Sequence, residues 1–348
     1  MYCLTVLLLG VAALVPTSCN NEDSALPSTH LPETNPEVTK VLREYFELKN
    51  DLLMGKRTNS EYKAKWADPI KADSLASKIE NCRDRLKSIE FGYTDYTAEF
   101  DIQSVENDSM VVKVVCVEKY RLTTNDPNPE DPAKFIVTEG ESLYEITFSK
   151  ESGEWLVVSD ICLNEDPYYV NETVLEASKE IVDLGEEMVT PRYSYNATAA
   201  KNYAVQYWSN YNSAYPNCNC CGGDCMNFCS QCLKAGNWTT NNSWKSASTC
   251  SGSTSSWINS TSWKNYAINS GRIYSTNYSD NALVVGDIMQ FDWTSNGSID
   301  HSMIVTQRTV TNGIVKVYLT GHNNNHLNKI STYFGGTHYG RRVKLSAN

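Results

Sequence analysis

The sequence predicts an α+β protein built from two domains, and three observations lead there. The chain has 348 residues, 41% hydrophobic and 20% charged, which is globular in class and more than one core usually serves. Its charge is split along its length. Residues 196–348 carry 11 Lys and Arg against 5 Asp and no Glu, net +6, which leaves 19 basic and 36 acidic residues, net −17, for the rest. Finally, apolar residues recur at helical spacing early in the first part and then at period two, the order expected of helices laid on an antiparallel sheet.

The first segment reads as a targeting signal. Leu4 to Val15 is an apolar run of signal-peptide length, and Pro16-Thr17-Ser18-Cys19 sets small residues before a cysteine, as at the cleavage site of a bacterial lipoprotein. Residues 1–19 are therefore expected to direct export, with Cys19 a candidate lipid carrier and membrane anchor. The polar, proline-containing residues 20–35 read as a tether. The expected location is secreted or on the bacterial cell surface.

Residues 36–170 form the first predicted domain. A helix from Glu37 to Met54 shows Val38, Leu42, Phe46 and Leu53 on one side, with Gly55 placed to end it. A second helix carries Leu75, Ile79, Cys82, Leu86 and Ile89. Cys82 lies on that apolar stripe and reads as core. Ser109 to Leu122 alternates as a strand, with Met110, Val112, Val114 and Cys116 on one face. Leu143 to Phe148 and Trp155 to Cys162 flank Glu151-Ser152-Gly153, a hairpin turn. This order of elements, with the strand Gly153 to Asp160, resembles the NTF2-like domains that precede exported hydrolases. No nucleophile and base pair up in it. Residues 171–195 have helical composition and link it to the second domain, 196–348.

Seven of the 12 cysteines fall between Cys218 and Cys250. Gly222-Gly223 permits a tight turn, Asp224 is a good N-cap, and Phe228, Cys229, Cys232 and Leu233 fit the buried side of a helix ending near Gly236. Cys225 then occupies the first helical turn. Unpaired amides there favour a thiolate, lowering its pKa from about 8.5 toward neutral, and a backbone N–H can donate to an oxyanion.

A thiolate nucleophile needs a base. His301 opens the strand Asp300 to Thr306, and Asn312-Gly313 is a hairpin signal leading into Ile314 to Gly321 and then His322. A two-residue turn sets Asn324 opposite His301. Side chains alternate, so His322 shares the face of His301 unless a bulge intervenes. His301 is the expected base and His322 its orienting partner, with Asn323 in reserve.

Several stretches resemble the putative amidase domain family of bacteria: Tyr195 to Ala204, Trp208, Tyr211-Asn212, Tyr215-Pro216, Asp224 to Leu233, Gly286 to Asp292 and His301 to Thr306. That family is similar to the papain-like cell-wall hydrolases, the CHAP group among them. The resemblance implies a papain-like domain in which a helix packs on an antiparallel sheet. It also implies that Cys225 matches the nucleophile, His301 the base and His322 a polar position near the third site. The expected activity is cysteine amidase or peptidase cleavage of amide bonds, with peptidoglycan or a peptide as substrate. No cofactor and no nucleic-acid partner are expected.

Two rival readings, a zinc site and a silent module, accompany this one. Cys218, Cys220, Cys221, Cys225, Cys229 and Cys232 could hold zinc, although separated Cys-x-x-Cys knuckles are lacking. Three disulfides among the seven cysteines would leave Cys225 as the remaining thiol. The domain could also be a silent wall-binding module. Trp238 and Trp244, and again Trp257 and Trp263, lie six apart. They read either as sugar-stacking platforms or, preferably, as anchors of a long surface loop.

Overall fold

A computed structural model of the chain describes residues 36–108, 110–164, 193–219 and 223–347. The export signal with Cys19, the tether, most of the linker, Cys220 and Cys221 lie outside the described residues. The described residues belong to one compact unit.

Helix α1 (Pro36–Met54) buries Val38, Leu42, Phe46 and Leu53 as their spacing requires, and Gly55, at φ 74°, follows it. The short α2 (Asn59–Lys63) has a capping box between Thr58 and Glu61, and α3 (Pro69–Ser88) buries Ala72, Ala76, Ile79, Cys82 and Leu86. Cys82 is core, as its place on the stripe implies. Four antiparallel strands follow: β1 (Tyr93–Asp108), β2 (Val111–Asn128), β3 (Asp131–Glu151) and β4 (Glu154–Cys162). Val112, Val114 and Cys116 face the core, but Met110 precedes the strand and is exposed. The expected hairpin closes at Glu151 and Glu154 through Ser152 and Gly153, both at positive φ, the backbone a two-residue turn demands. Helices before a sheet is thus the observed order, although that order by itself assigns no family.

The second half begins with the two-residue strand β5 (Tyr193–Ser194), α4 (Ala197–Tyr207), α5 (Cys225–Ala235), α6 (Ser255–Ile258) and α7 (Ser260–Asn269). It continues with β6 (Ile288–Asp292), β7 (His301–Thr311), β8 (Ile314–Gly321), β9 (His326–Ile330) and β10 (Thr337–Arg341), and ends with β11 (Ser346–Ala347) paired to β5. The class is α+β, with helices beside an antiparallel sheet.

One sheet runs through both halves in the order β1-β2-β3-β9-β8-β7-β6-β10, with β4 on β3. The junction is β3 against β9, where Glu139 faces Leu327 and Gly140 faces His326. It is reinforced at Asp126, whose carboxylate takes Lys316 Nζ at 2.6 Å, Tyr318 OH at 2.5 Å and Thr309 Oγ1 at 3.1 Å. Lys316 and Asp126 are almost fully buried, so each charge depends on the other. Tyr318, Ile330 and Tyr333 of the second half also belong to the core of the first. The change of composition near residue 195 therefore marks no break in the packing.

The four tryptophans from Trp238 to Trp263 are core residues, each at most 1% exposed. Trp244 packs on Trp238 at 5.4 Å and on Trp257 at 4.6 Å, and Trp238 stacks with Trp263 at 6.1 Å. The Arg272 guanidinium lies over Trp238 and Trp244. Rings enclosed in this way present no face to a sugar. The sugar-platform reading gives way to a buried cluster against α5, whose rings pin the mostly exposed residues between them as the anchor reading expects.

Candidate active site

Helix α5 begins at Cys225 and is closed by Gly236, as its composition predicts. It is more deeply set than one apolar stripe requires, because every residue from Cys225 to Leu233 is buried. Its polar members survive burial by bonding. Asn227 Oδ1 accepts from Trp257 Nε1, Ser230 Oγ donates to the Trp257 carbonyl, and Gln231 Oε1 accepts from Tyr203 OH. Cys218 and Cys250 form a disulfide, while Cys225, Cys229 and Cys232 remain thiols. The three-disulfide pattern is thereby corrected: Cys229 and Cys232 point into the core, and burial pushes both thiols well above the ordinary range. The disulfide also withdraws Cys218 from the zinc reading. Among the described residues no cluster of three metal-ligating side chains occurs.

Asp224 occupies the N-cap position but makes no side-chain cap. Its carboxylate is taken elsewhere. Oδ1 accepts from the Cys218 amide and from Asn227 Nδ2, both at 2.7 Å, and Oδ2 lies 2.5 Å from His322 Nδ1. The Asp224 side chain thus leaves the first-turn amides of α5 uncapped. Its own amide donates to Asn323 Oδ1 at 2.5 Å. Gly223, at φ 112°, lies so close to Asn323 that a Cβ would collide with its amide. The turn after β8 therefore clamps the loop that delivers Cys225.

His322 belongs to this clamp. Its Nε2 lies 2.8 Å from the Tyr207 carbonyl, and its ring is sandwiched between Tyr211 at 4.1 Å and Phe228 at 3.9 Å. Each ring nitrogen lies against an oxygen of another residue, and neither is directed at His301. The role expected for His322 is corrected accordingly, from orienting the base to anchoring the start of α5. The cause is a register change. The Asn312-Gly313 turn pairs Thr311 with Ile314, and that register holds to Gln307 and Tyr318. Thr306 is then extra, and Val305 faces Leu319. A bulge of one residue moves every later side chain to the other face of its partner. His322 consequently lies on the α5 side. Asn323, held in reserve as a third member, is likewise bonded to Asp224.

The groups that meet Cys225 on this side come from α7 and β7. Cys225 Sγ is 3.8 Å from Ser260 Oγ, which accepts from Ser302 Oγ at 2.9 Å. Gln290 Nε2 donates to the Ser260 carbonyl and to Ser302 Oγ. Ser260 and Gln290 were not singled out in the sequence. Their signal is weak, since Ser260 sits in a serine-rich stretch and Gln290 in an apolar strand. His301, next to Ser302, is 1% exposed and stacks on Trp293 at 5.3 Å, with Phe291 at 6.1 Å. Alternation along β7 thus turns His301 toward Phe291 and Trp293, and Ser302 toward α5.

Burial pushes the His301 imidazole down to about 4. It is therefore neutral near pH 7, with a lone pair able to take a proton. In the unfolded chain the same ring is protonated as pH falls through about 6.5. Between these values the unfolded state holds more protons, so stability falls as the pH is lowered. The loss at pH 4 is about 3 kcal/mol for this residue. His326, lowered by burial and by Lys329, acts in the same direction. A His301→Asn variant should lose less Tm than the parent between pH 7 and pH 4.5. Equal slopes would mean that His301 takes up its proton in the folded state.

Comparison with known proteins bears on this half of the chain. A crystal structure of the intermembrane space region of the chloroplast protein ARC6 aligns with 38% of this chain and 98% of its own, at 12% identity and a TM-score of 0.28. At that score the likeness carries no weight. The "Uncharacterized protein YjcM" of Bacillus subtilis (strain 168) is 29% identical over 161 residues, 44% of this chain. The match covers 36% of that relative's length. Residues 194–344, the part that carries Cys225, His301 and His322, match the family model described as a putative amidase domain.

Proposed function

We propose that the protein is an exported, papain-like cysteine amidase acting on amide bonds of peptidoglycan, with Cys225 as nucleophile and His301 as base. The observation that carries the reading is Cys225 at the amino end of a buried helix whose N-cap side chain leaves the first-turn amides uncapped. Cys225 Sγ attacks the carbonyl carbon and forms a thioester as the C–N bond breaks. His301 takes the thiol proton and returns it to the leaving amine. Water then attacks the thioester, His301 accepts its proton, and the thiol is regenerated. First-turn amides of α5 donate to the oxyanion. The reading requires the start of β7 to reorient when substrate enters, because His301 lies on the strand face opposite Ser302. The net +6 of residues 196–348 suits an anionic wall.

A second reading, a catalytically silent wall-binding module, is favoured by the orientation of His301 toward Trp293. Incubation of the full chain with purified peptidoglycan separates the two. New amino groups and soluble muropeptides are expected from the parent, and His301→Ala should slow their release by roughly 10²- to 10⁴-fold. No release by the parent, with binding retained, would favour the silent module. Release unaffected by His301→Ala would remove His301 from the mechanism.

A further inference from the structure

The clamp on Cys225 extends across the junction of the two halves. Glu141 lies on β3, in the part of the chain before the amidase domain, and its Oε2 accepts from Asn325 Nδ2 at 2.7 Å. Asn325 is in the turn between β8 and β9, and its Oδ1 accepts from Tyr211 OH at 3.1 Å. Tyr211 OH in turn accepts from Asn219 Nδ2 at 2.9 Å, and its ring covers His322. His322 holds Asp224, the residue before Cys225. The path from Glu141 to the nucleophile therefore runs through one turn, one ring stack and the buried contact of His322 with Asp224.

The turn needs that fixing. Asn323 and Asn325 both adopt positive φ, 79° and 36°, a conformation that a short polar side chain tolerates only at some cost. Two contacts from the turn reach the α5 start, Asn323 to the Asp224 amide and His322 to its carboxylate. The nearby pairing of Gly140 with His326 holds the backbone of the turn's far end. Glu141 supplies the side-chain anchor and is itself half-buried, which strengthens a charged acceptor's bond.

We propose that Glu141 is a positioning residue for the nucleophile's helix, so that the amidase site is completed by the preceding part of the chain; this rests on the cysteine reading above. Loss of Glu141 releases Asn325 and Tyr211, and the stack on His322 loosens. The aim of Asp224 and of the first-turn amides then becomes less fixed. A bond lost at a half-exposed carboxylate changes global stability little, so a thiol readout separates positioning from folding.

The test is alkylation of Cys225 by iodoacetamide across pH, read on the Cys225 peptide by mass spectrometry in the full chain. The parent is expected to show a midpoint below the ordinary thiol value of about 8.5. Glu141→Ala should raise it by about half a unit, roughly threefold less thiolate at lower pH, with Tm nearly unchanged. Glu141→Gln, which keeps an acceptor for Asn325, should restore it. Asn325→Ala cuts the same path, so the double variant should behave like either single one. An unchanged midpoint in Glu141→Ala, or no rescue by glutamine, overturns the proposal while leaving the nucleophile in place. A parent midpoint at or above the ordinary value overturns the cysteine reading and the positioning role together.

Discussion

Replacement of Cys225 by alanine is expected to abolish amide hydrolysis, by roughly 10⁴- to 10⁶-fold, and to leave the fold standing. The size follows from the role: without the sulfur no thioester forms, and only binding and oxyanion stabilisation remain. The mildness toward stability follows from the position. Cys225 is 5% exposed at the first residue of α5, and the partner of its Sγ on this face is Ser260 at 3.8 Å. Removing one sulfur atom there costs about 1 kcal/mol. Cys229, one turn on, is fully buried, and burial pushes its thiol well up. Cys229→Ala should therefore show the reverse pattern, with lower Tm and retained turnover. Amine release and thermal unfolding measured on both variants decide the matter. Activity surviving in Cys225→Ala but lost in Cys229→Ala would move the nucleophile to the second cysteine.

The placing of Cys225 at the start of α5 and of Cys229 on its buried side was legible in the sequence, because it depends on local signals. Gly222-Gly223 before the helix, Gly236 after it, and apolar residues three and four apart fix the helix and its buried side. The Asn312-Gly313 turn was legible for the same reason, and its two-residue register is observed. The bulge at Thr306 was not. No glycine or proline marks it, and the contacts associated with it are remote: Thr306 Oγ1 bonds Thr320 Oγ1 and Asn328 Oδ1. One inserted residue is enough to reverse the face assigned to His322, so a site inferred by counting along strands inherits every irregularity between its members.

Two further features needed the tertiary structure. The Trp238 to Trp263 segment has the Ser, Asn and Thr content of a loop, yet its rings are core. Composition reports the polar residues between the rings and not where the rings point. The sheet junction pairs Gly140 with His326, residues that no local pattern connects. A boundary drawn from charge and composition therefore fell near residue 195, while the hydrogen bonds of β3 and the carboxylate of Asp126 run across it. The same crossing places Glu141 beside the turn that holds the start of α5.

That helix start depends most on Asp224, and Asp224→Ala is expected to destabilise the protein by about 3–5 kcal/mol. Asp224 is fully buried and serves three donors, the Cys218 amide, Asn227 Nδ2 and His322 Nδ1. Its removal takes the acceptor from the Cys218 amide and His322 Nδ1 and one of the two acceptors from Asn227 Nδ2, which keeps the Pro216 carbonyl, and an unsatisfied buried donor costs more than the mean hydrogen bond is worth. It also leaves the His322 ring without its Asp224 partner between Tyr211 and Phe228. His322→Ala strands the carboxylate instead and should cost a similar amount. The double variant should then be more stable than the sum of the two losses predicts, by about 1–3 kcal/mol, since the second substitution removes a group already orphaned. Urea unfolding of the four proteins supplies the cycle, with unchanged m-values as the check on a common unfolded state. Strict additivity would mean that Asp224 and His322 stabilise the fold independently. The clamp would then reduce to the Asn323 bond and the glycine turn, and Cys225 would owe its position to the helix alone.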